Sequence, residues 1–205
     1  MGNKNNTNKN EIKEEESKTF GEEYYFDIPN IDESKLKNEY KIIFIGESGV
    51  GAKTSLINRI AGLKFNPHSE TTTTNSFVNI KIKLGKNREI NLHLWDTIGQ
   101  EKYRSLTKIF MTDIDCAVIG YDITNRRTFE EVKNYWCPTV KELKYCNLIY
   151  LIANKKDLYE LEQVKEEEGE KFAESENLRF FMISCKTGDG ILSFIKDMAI
   201  QLLKK

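Results

Sequence analysis

The 205-residue sequence contains no run of about 18 apolar residues, so it predicts no transmembrane helix. Its first residues hold no apolar core of the kind a secretory leader needs. It lacks an excess of either charge. The 31 basic and 32 acidic side chains leave a formal net charge of -1, which excludes the electrostatic footprint of a nucleic-acid binder. Cysteine is sparse, and Cys116, Cys137, Cys146 and Cys185 include no C-x-x-C pair. They read as free thiols in a reducing compartment, with Cys116 in an apolar run and Cys185 in a polar loop. Neither His68 nor His93 has a partner at metal-ligand spacing, and no internal repeat is present. What remains is an ordinary hydrophobic fraction of 39% and enough chain for one domain with an extension.

The chain divides near residue 38. Residues 1–38 begin MGNKNNTNKNEIKEEESK, with too little apolar surface to offset the entropy of ordering, and predict a disordered polar extension. Within it the patch FGEEYYFDI could dock on the domain or on a partner. Residues 39–205 alternate buried-strand and helical patterns. KIIFIG (41–46) reads as a strand entering a glycine turn. FVNIKIKL (77–84), GKNRE and INLHLW read as a hairpin. CAVIGYDI (116–123), NLIYLIANK (147–155) and RFFMIS (179–184) are further strands, and helices are predicted over 127–144, 162–176 and 188–204. Ile191, Phe194, Ile195, Met198, Leu202 and Leu203 form one stripe that would pack on the sheet. The fold class is therefore α/β: a doubly wound, mostly parallel six-stranded sheet whose hairpin strand is its antiparallel edge.

Four short segments at strand ends carry chemistry. The first, GESGVGAKTSL, is a phosphate-binding loop with one residue too many. Gly46 and Gly51 keep the spacing of G-x-x-x-x-G-K-[ST], but Ala52 stands between Gly51 and Lys53. The loop Gly46-Glu47-Ser48-Gly49-Val50-Gly51-Ala52 would cradle phosphate with its backbone N–H groups, ahead of Lys53, Thr54 and Ser55. Lys53 would bridge the β- and γ-phosphates, and the Thr54 hydroxyl would ligate Mg²⁺. In WDTIGQ (95–100), Asp96 would hold Mg²⁺ through a water, Gly99 would offer its N–H to the γ-phosphate, and Gln100 would orient an attacking water. In NKKD (154–157), the Asp157 carboxylate matches guanine N1–H and its exocyclic amine, a donor pair that adenine lacks, and Asn154 would tie this loop to the phosphate loop. In Ser184-Cys185-Lys186, backbone N–H groups could reach guanine O6. The order of the four motifs, each at a strand end, points to a guanine-nucleotide site.

These residues make the sequence resemble the Ras superfamily of small GTPases over about residues 39–205, and within it the Rab branch, through LHLWDTIGQEKYRSL (92–106) and YDITNRRTFEEVKNYW (121–136). The resemblance implies GTP/GDP and Mg²⁺ as cofactors and slow GTP hydrolysis in a switch that regulates vesicle traffic. It further implies effectors bound through residues 66–78 and 97–112, an exchange factor, a GTPase-activating protein and a monomeric state. By position, Phe65 would stack on the base, Thr72 would ligate Mg²⁺ (with Thr71 or Thr73 as alternatives in the TTTT run), Lys155 would lie along the ribose, and Lys186 would buttress the base loop. No arginine finger is assigned in cis, so fast hydrolysis would need the activating protein.

The sequence departs from that family in several places. The first switch reads TTTTNSF, DTAGQ has become DTIGQ with a bulky Ile98, and the segment after the second switch reads IFMTDID. The chain ends LLKK without the prenylated cysteines usual in Rabs. The other end starts MGNKNNT, which makes Gly2 a candidate for N-myristoylation, although Asn6 stands where the strict pattern has Ser or Thr. One such lipid would give only marginal binding, so reversible association with the cytosolic face of intracellular membranes is expected for a cytoplasmic protein. Ala52 leaves two readings open. Its Cβ could crowd the phosphates, leaving a nucleotide-poor Rab-shaped scaffold, or the extra residue could let the loop bulge so that the methyl points away.

Overall fold

A computed structural model describes residues 23–26, 37–67, 76–84, 88–97, 111–143 and 146–204. Strand β1 (Glu23–Phe26) is followed by β2 (Glu39–Ile45), α1 (Thr54–Ile60), β3 (Ser76–Leu84), β4 (Arg88–Asp96) and β5 (Cys116–Asp122). A helical stretch of three parts comes next: α2 (Arg126–Glu131), a π turn (Val132–Trp136) and α3 (Cys137–Lys141). Strand β6 (Ile149–Asn154), a 3-10 stretch (Lys156–Leu161), α4 (Glu166–Ser175), β7 (Arg179–Met182) and α5 (Ile191–Leu202) complete the described elements. The π turn falls just ahead of Pro138. That residue has no N–H to continue an α-helical ladder, and the Cys137 N–H reaches back to the Val132 carbonyl instead.

The sheet order is β1-β3-β4-β2-β5-β6-β7, parallel throughout except for the β3–β4 hairpin. Period-2 alternation sorts the strand side chains onto two faces. Ile42, Phe44, Cys116, Val118, Tyr150 and Ile152 face one core, shared with α1 and α5. Ile43, Ile45, Ala117, Ile119, Leu151 and Ala153 face the other, shared with α2, α3 and α4. The stripe on α5 packs into the first core as the sequence predicts, with Phe194, Ile195, Met198 and Leu202 fully buried.

The structure differs from the sequence-based expectation in the number of strands, in the edge strand and in part of the extension. Among the described residues the sheet has seven strands rather than six, and β3 is not its edge, because β1 pairs outside it from Glu23↔Lys81 to Phe26↔Leu84. Four residues of the extension predicted as disordered therefore form a strand. Composition misses it because its stability is tertiary: Phe26 is buried in the core, Tyr24 stacks on it, and Glu23 pairs with Lys83 at 2.5 Å. All four cysteines are free and buried, Cys185 within the polar turn that follows β7.

The carboxyl ends of β2, β4, β5, β6 and β7 lie together at one edge of the sheet. Phe44 stands opposite Asp96, Ile45 opposite Ile119, Asp122 opposite Asn154, and Ala153 opposite Met182. In open α/β sheets this edge is where ligands bind.

Candidate guanine-nucleotide site

The loop after β2 runs through three left-handed glycines, Gly46, Gly49 and Gly51, before α1 opens at Thr54. At Gly46 a Cβ would lie 2.5 Å from the Gly120 carbonyl oxygen on β5, so only glycine lets the loop leave the strand here. Glu47 is buried, while Ser48 and Gly49 are exposed at the turn. Val50 and Ala52 are fully buried and belong to the core shared with α1 and α5.

Of the two directions left open by the sequence, Ala52 takes the inward one. Its methyl points into the core against Gly120: a Cβ built on Gly120 would stand 2.2 Å from that of Ala52. The inserted residue is thus absorbed by the protein interior. No motif singles out Gly120; the signal that could have found it is a glycine inside the buried run CAVIGYDI, which marks a close backbone approach.

Lys53 lies at the root of the loop, 6% exposed, and its ammonium donates to the Glu47 carbonyl oxygen at 2.6 Å. Burial lowers its pKa to about 8, only partly opposed by the charges of Asp96 and Glu47. Between about 8 and the ordinary value of 10.5 the unfolded chain holds more protons than the folded one, so stability rises with pH across that window. A phosphate beside Lys53 would restore the ammonium. GDP binding is therefore expected to take up protons at about pH 9 and almost none at about pH 7. Calorimetry in two buffers of different ionisation enthalpy measures this; no uptake at the higher pH would contradict a phosphate at Lys53.

The Thr54 hydroxyl donates to Asp96 Oδ2 at 2.7 Å, joining residues 42 positions apart. Asp96 is 4% exposed. The neighbouring Thr97 hydroxyl donates to the Phe44 carbonyl at 2.6 Å and pins the end of β4 to β2, a contact no motif signalled. The donors are hard oxygens, which suit Mg²⁺. Among the described residues no cluster of three or more His, Cys, Asp or Glu could hold a metal by itself. The pair fits an ion held jointly with nucleotide phosphates.

The base-reading motifs sit beside this loop. The Asn154 amide donates to the Val50 carbonyl at 2.9 Å, and its oxygen accepts the Cys185 N–H at 3.1 Å. One buried side chain thus bridges the phosphate loop to the loop after β7. The Cys185 thiol donates to the Gly51 carbonyl at 3.3 Å, and burial pushes it up to about 12, so it stays protonated. Asp157 Oδ1 accepts the Ser184 hydroxyl at 2.6 Å, and Lys186 approaches its other oxygen at 3.7 Å. Ser184 also accepts the Thr187 N–H, which orders the loop. Lys155, in the left-handed region at φ 72°, pairs with the buried Asp122 at 2.5 Å, a partner the motif did not signal. Ser55 lies half-buried in α1, and Phe65 is partly buried against the first core. Gly2, the threonines 71–74 including Thr72, Ile98, Gly99 and Gln100 lie outside the described residues, as does most of both predicted effector segments.

A phosphate-type glycine loop, a buried lysine, a Thr–Asp oxygen pair and a base loop at one sheet edge define a P-loop nucleotide-binding domain. A family model for the Ras family matches residues 41–204. Among curated proteins, the chain is 36% identical over 167 residues to Ras-related protein Rab-2B of Dictyostelium discoideum, covering 81% of each chain. It is 34% identical over 165 residues to human Ras-related protein Rab-21, covering 80% of this chain and 72% of the relative. A Rab-21 of Geodia cydonium is 35% identical over 168 residues, covering 80% and 71%. The chain belongs to the Ras family of small GTPases, in its Rab-like branch. Guanine nucleotide and Mg²⁺ are the general ligands of that family.

Proposed function

We propose that the chain is a GDP/GTP switch that hydrolyses GTP slowly and acts in membrane traffic. The observation that carries this reading is the Thr54–Asp96 contact at 2.7 Å, which joins the two motifs expected to hold Mg²⁺. In this reading residues 39–205 are the GTPase domain and residues 1–38 its extension. Lys53 would bind the phosphates, and Thr54, Thr72 and Asp96 would hold the ion. Mg²⁺ there supplies neutralisation of phosphate charge. Asp157, oriented by Ser184, reads the base, while Phe65 and Lys155 flank it; Lys155 would exchange Asp122 for the ribose. Gly99 and Gln100 serve the γ-phosphate and the attacking water. Effectors, an exchange factor and an activating protein act at residues 66–78 and 97–112. The relatives named above support a Rab-type role on cytosolic membrane surfaces. A myristoyl group on Gly2 draws no support from them, since the family match starts at residue 41.

The test is single-turnover hydrolysis by the full chain in Mg²⁺. GTP is expected to convert slowly to GDP, Gln100→Leu to slow that step at least about tenfold, and ATP to remain intact. Equal rates with ATP would refute guanine selection by Asp157. An unchanged rate in Gln100→Leu would refute its role.

A further inference from the structure

Strand β1 does more than extend the sheet. The last turn of α1 leaves four carbonyls for other donors. Those of Ile57, Asn58 and Arg59 accept the N–H groups of Ala61, Leu63 and Gly62 at 2.8, 2.9 and 3.1 Å. The fourth, on Ile60, accepts the hydroxyl of Tyr24 at 2.7 Å, from a residue 36 positions earlier in the chain. The same four-residue strand is bonded to β3 over residues 81–84 and anchored by buried Phe26. It therefore spans the helix whose start carries Lys53 and Thr54 and the strand that resumes after residues 68–75. Tyr24 and Phe65 pack on one core cluster. With seven residues, α1 is only about 10 Å long, so looseness at its end reaches its beginning.

We propose that Tyr24 is a positioning residue for the nucleotide site, and that β1 is a clasp joining the end of α1 to β3 so that bound guanine nucleotide is released slowly. This rests on the guanine-nucleotide reading above. Undocking the strand removes the cap from α1 and frees the segment leading to Phe65, and release accelerates. The strand's small size, with Tyr25 and the Glu23–Lys83 pair exposed to solvent, makes it a part that can detach while the rest of the sheet persists.

The test uses the full chain loaded with N-methylanthraniloyl-GDP in Mg²⁺, chased with excess GDP. Tyr24→Phe removes one oxygen and is expected to raise the release rate about threefold to tenfold, with the association rate within about twofold of wild type. Phe26→Asp should act in the same direction and more strongly. Tyr25→Ala, at an exposed position of the same strand, should leave release unchanged. Hydrogen exchange is expected to quicken at residues 61–66 in Tyr24→Phe, and also at 81–84 in Phe26→Asp. A release rate for Tyr24→Phe within about twofold of wild type overturns the proposal, whatever Phe26→Asp does. A wild-type chain that takes up no guanine nucleotide overturns both this proposal and the reading beneath it; normal uptake with unchanged release overturns the clasp alone.

Discussion

Asn154→Ala is expected to lower GDP affinity about 100-fold and to destabilise the fold by about 2–5 kcal/mol, because it deletes both ends of one bridge. Asn154 is 2% exposed and satisfies the Val50 carbonyl and the Cys185 N–H at once. A buried polar group stranded by loss of its partner costs about 1–3 kcal/mol, and here there are two. The affinity loss follows if about 2.7 kcal/mol of that bridging is needed to hold the phosphate loop against the base loop. Asn154→Asp separates the two contacts. It keeps an acceptor for Cys185 but faces a carboxylate oxygen to the Val50 carbonyl, so it should lose nearly as much. Titration with a fluorescent GDP, together with chemical unfolding, measures both effects. Affinity within about threefold of wild type would show that the two loops do not need this bridge.

The second large effect concerns the inserted residue. Gly120→Ala should destabilise the protein by about 2–3 kcal/mol, as overpacking of a closed core does, which is a fall in Tm of roughly 5–10 °C for a domain of this size. The new methyl would stand 2.2 Å from the Ala52 methyl, a distance that forces the loop or the strand to move. Ala52→Gly in the same chain should recover most of that loss. The remaining neighbours of the Gly120 methyl, the Ala52 Cα and carbonyl oxygen, lie at 3.4 and 3.5 Å, ordinary contact distances. Ala52→Gly alone should cost about 1 kcal/mol for its buried methyl and added backbone freedom. The four unfolding curves form a double-mutant cycle, and the expected coupling is large and favourable. Additive effects would mean that the Ala52 methyl does not face Gly120.

Much of this was legible in the sequence. The near-continuous apolar runs CAVIGYDI and NLIYLIANK predict strands covered on both faces, and β5 and β6 are buried along their whole length. The order of the four motifs places Lys53, Thr54, Asp96, Asn154 and Asp157 at one sheet edge, where the fold gathers them. The direction of the Ala52 side chain was not legible, because it is set by Gly120, a residue on another strand. Strand β1 was missed for a similar reason. EYYF has no strand pattern long enough to stand alone, and its partners are Ile60 and residues 81–84. The Asp122–Lys155 pair also joins two motifs that each read as complete without the other.

Retention of guanine nucleotide by a lengthened phosphate loop, with its extra methyl turned into the core, is the expected property. Its most direct test is the nucleotide content of the full chain purified in Mg²⁺ buffer, denatured, with the supernatant resolved by anion-exchange chromatography. The predicted result is GDP or GTP near one equivalent per chain, with no adenine nucleotide. A folded protein that carries none and takes up none when GDP is added would contradict it.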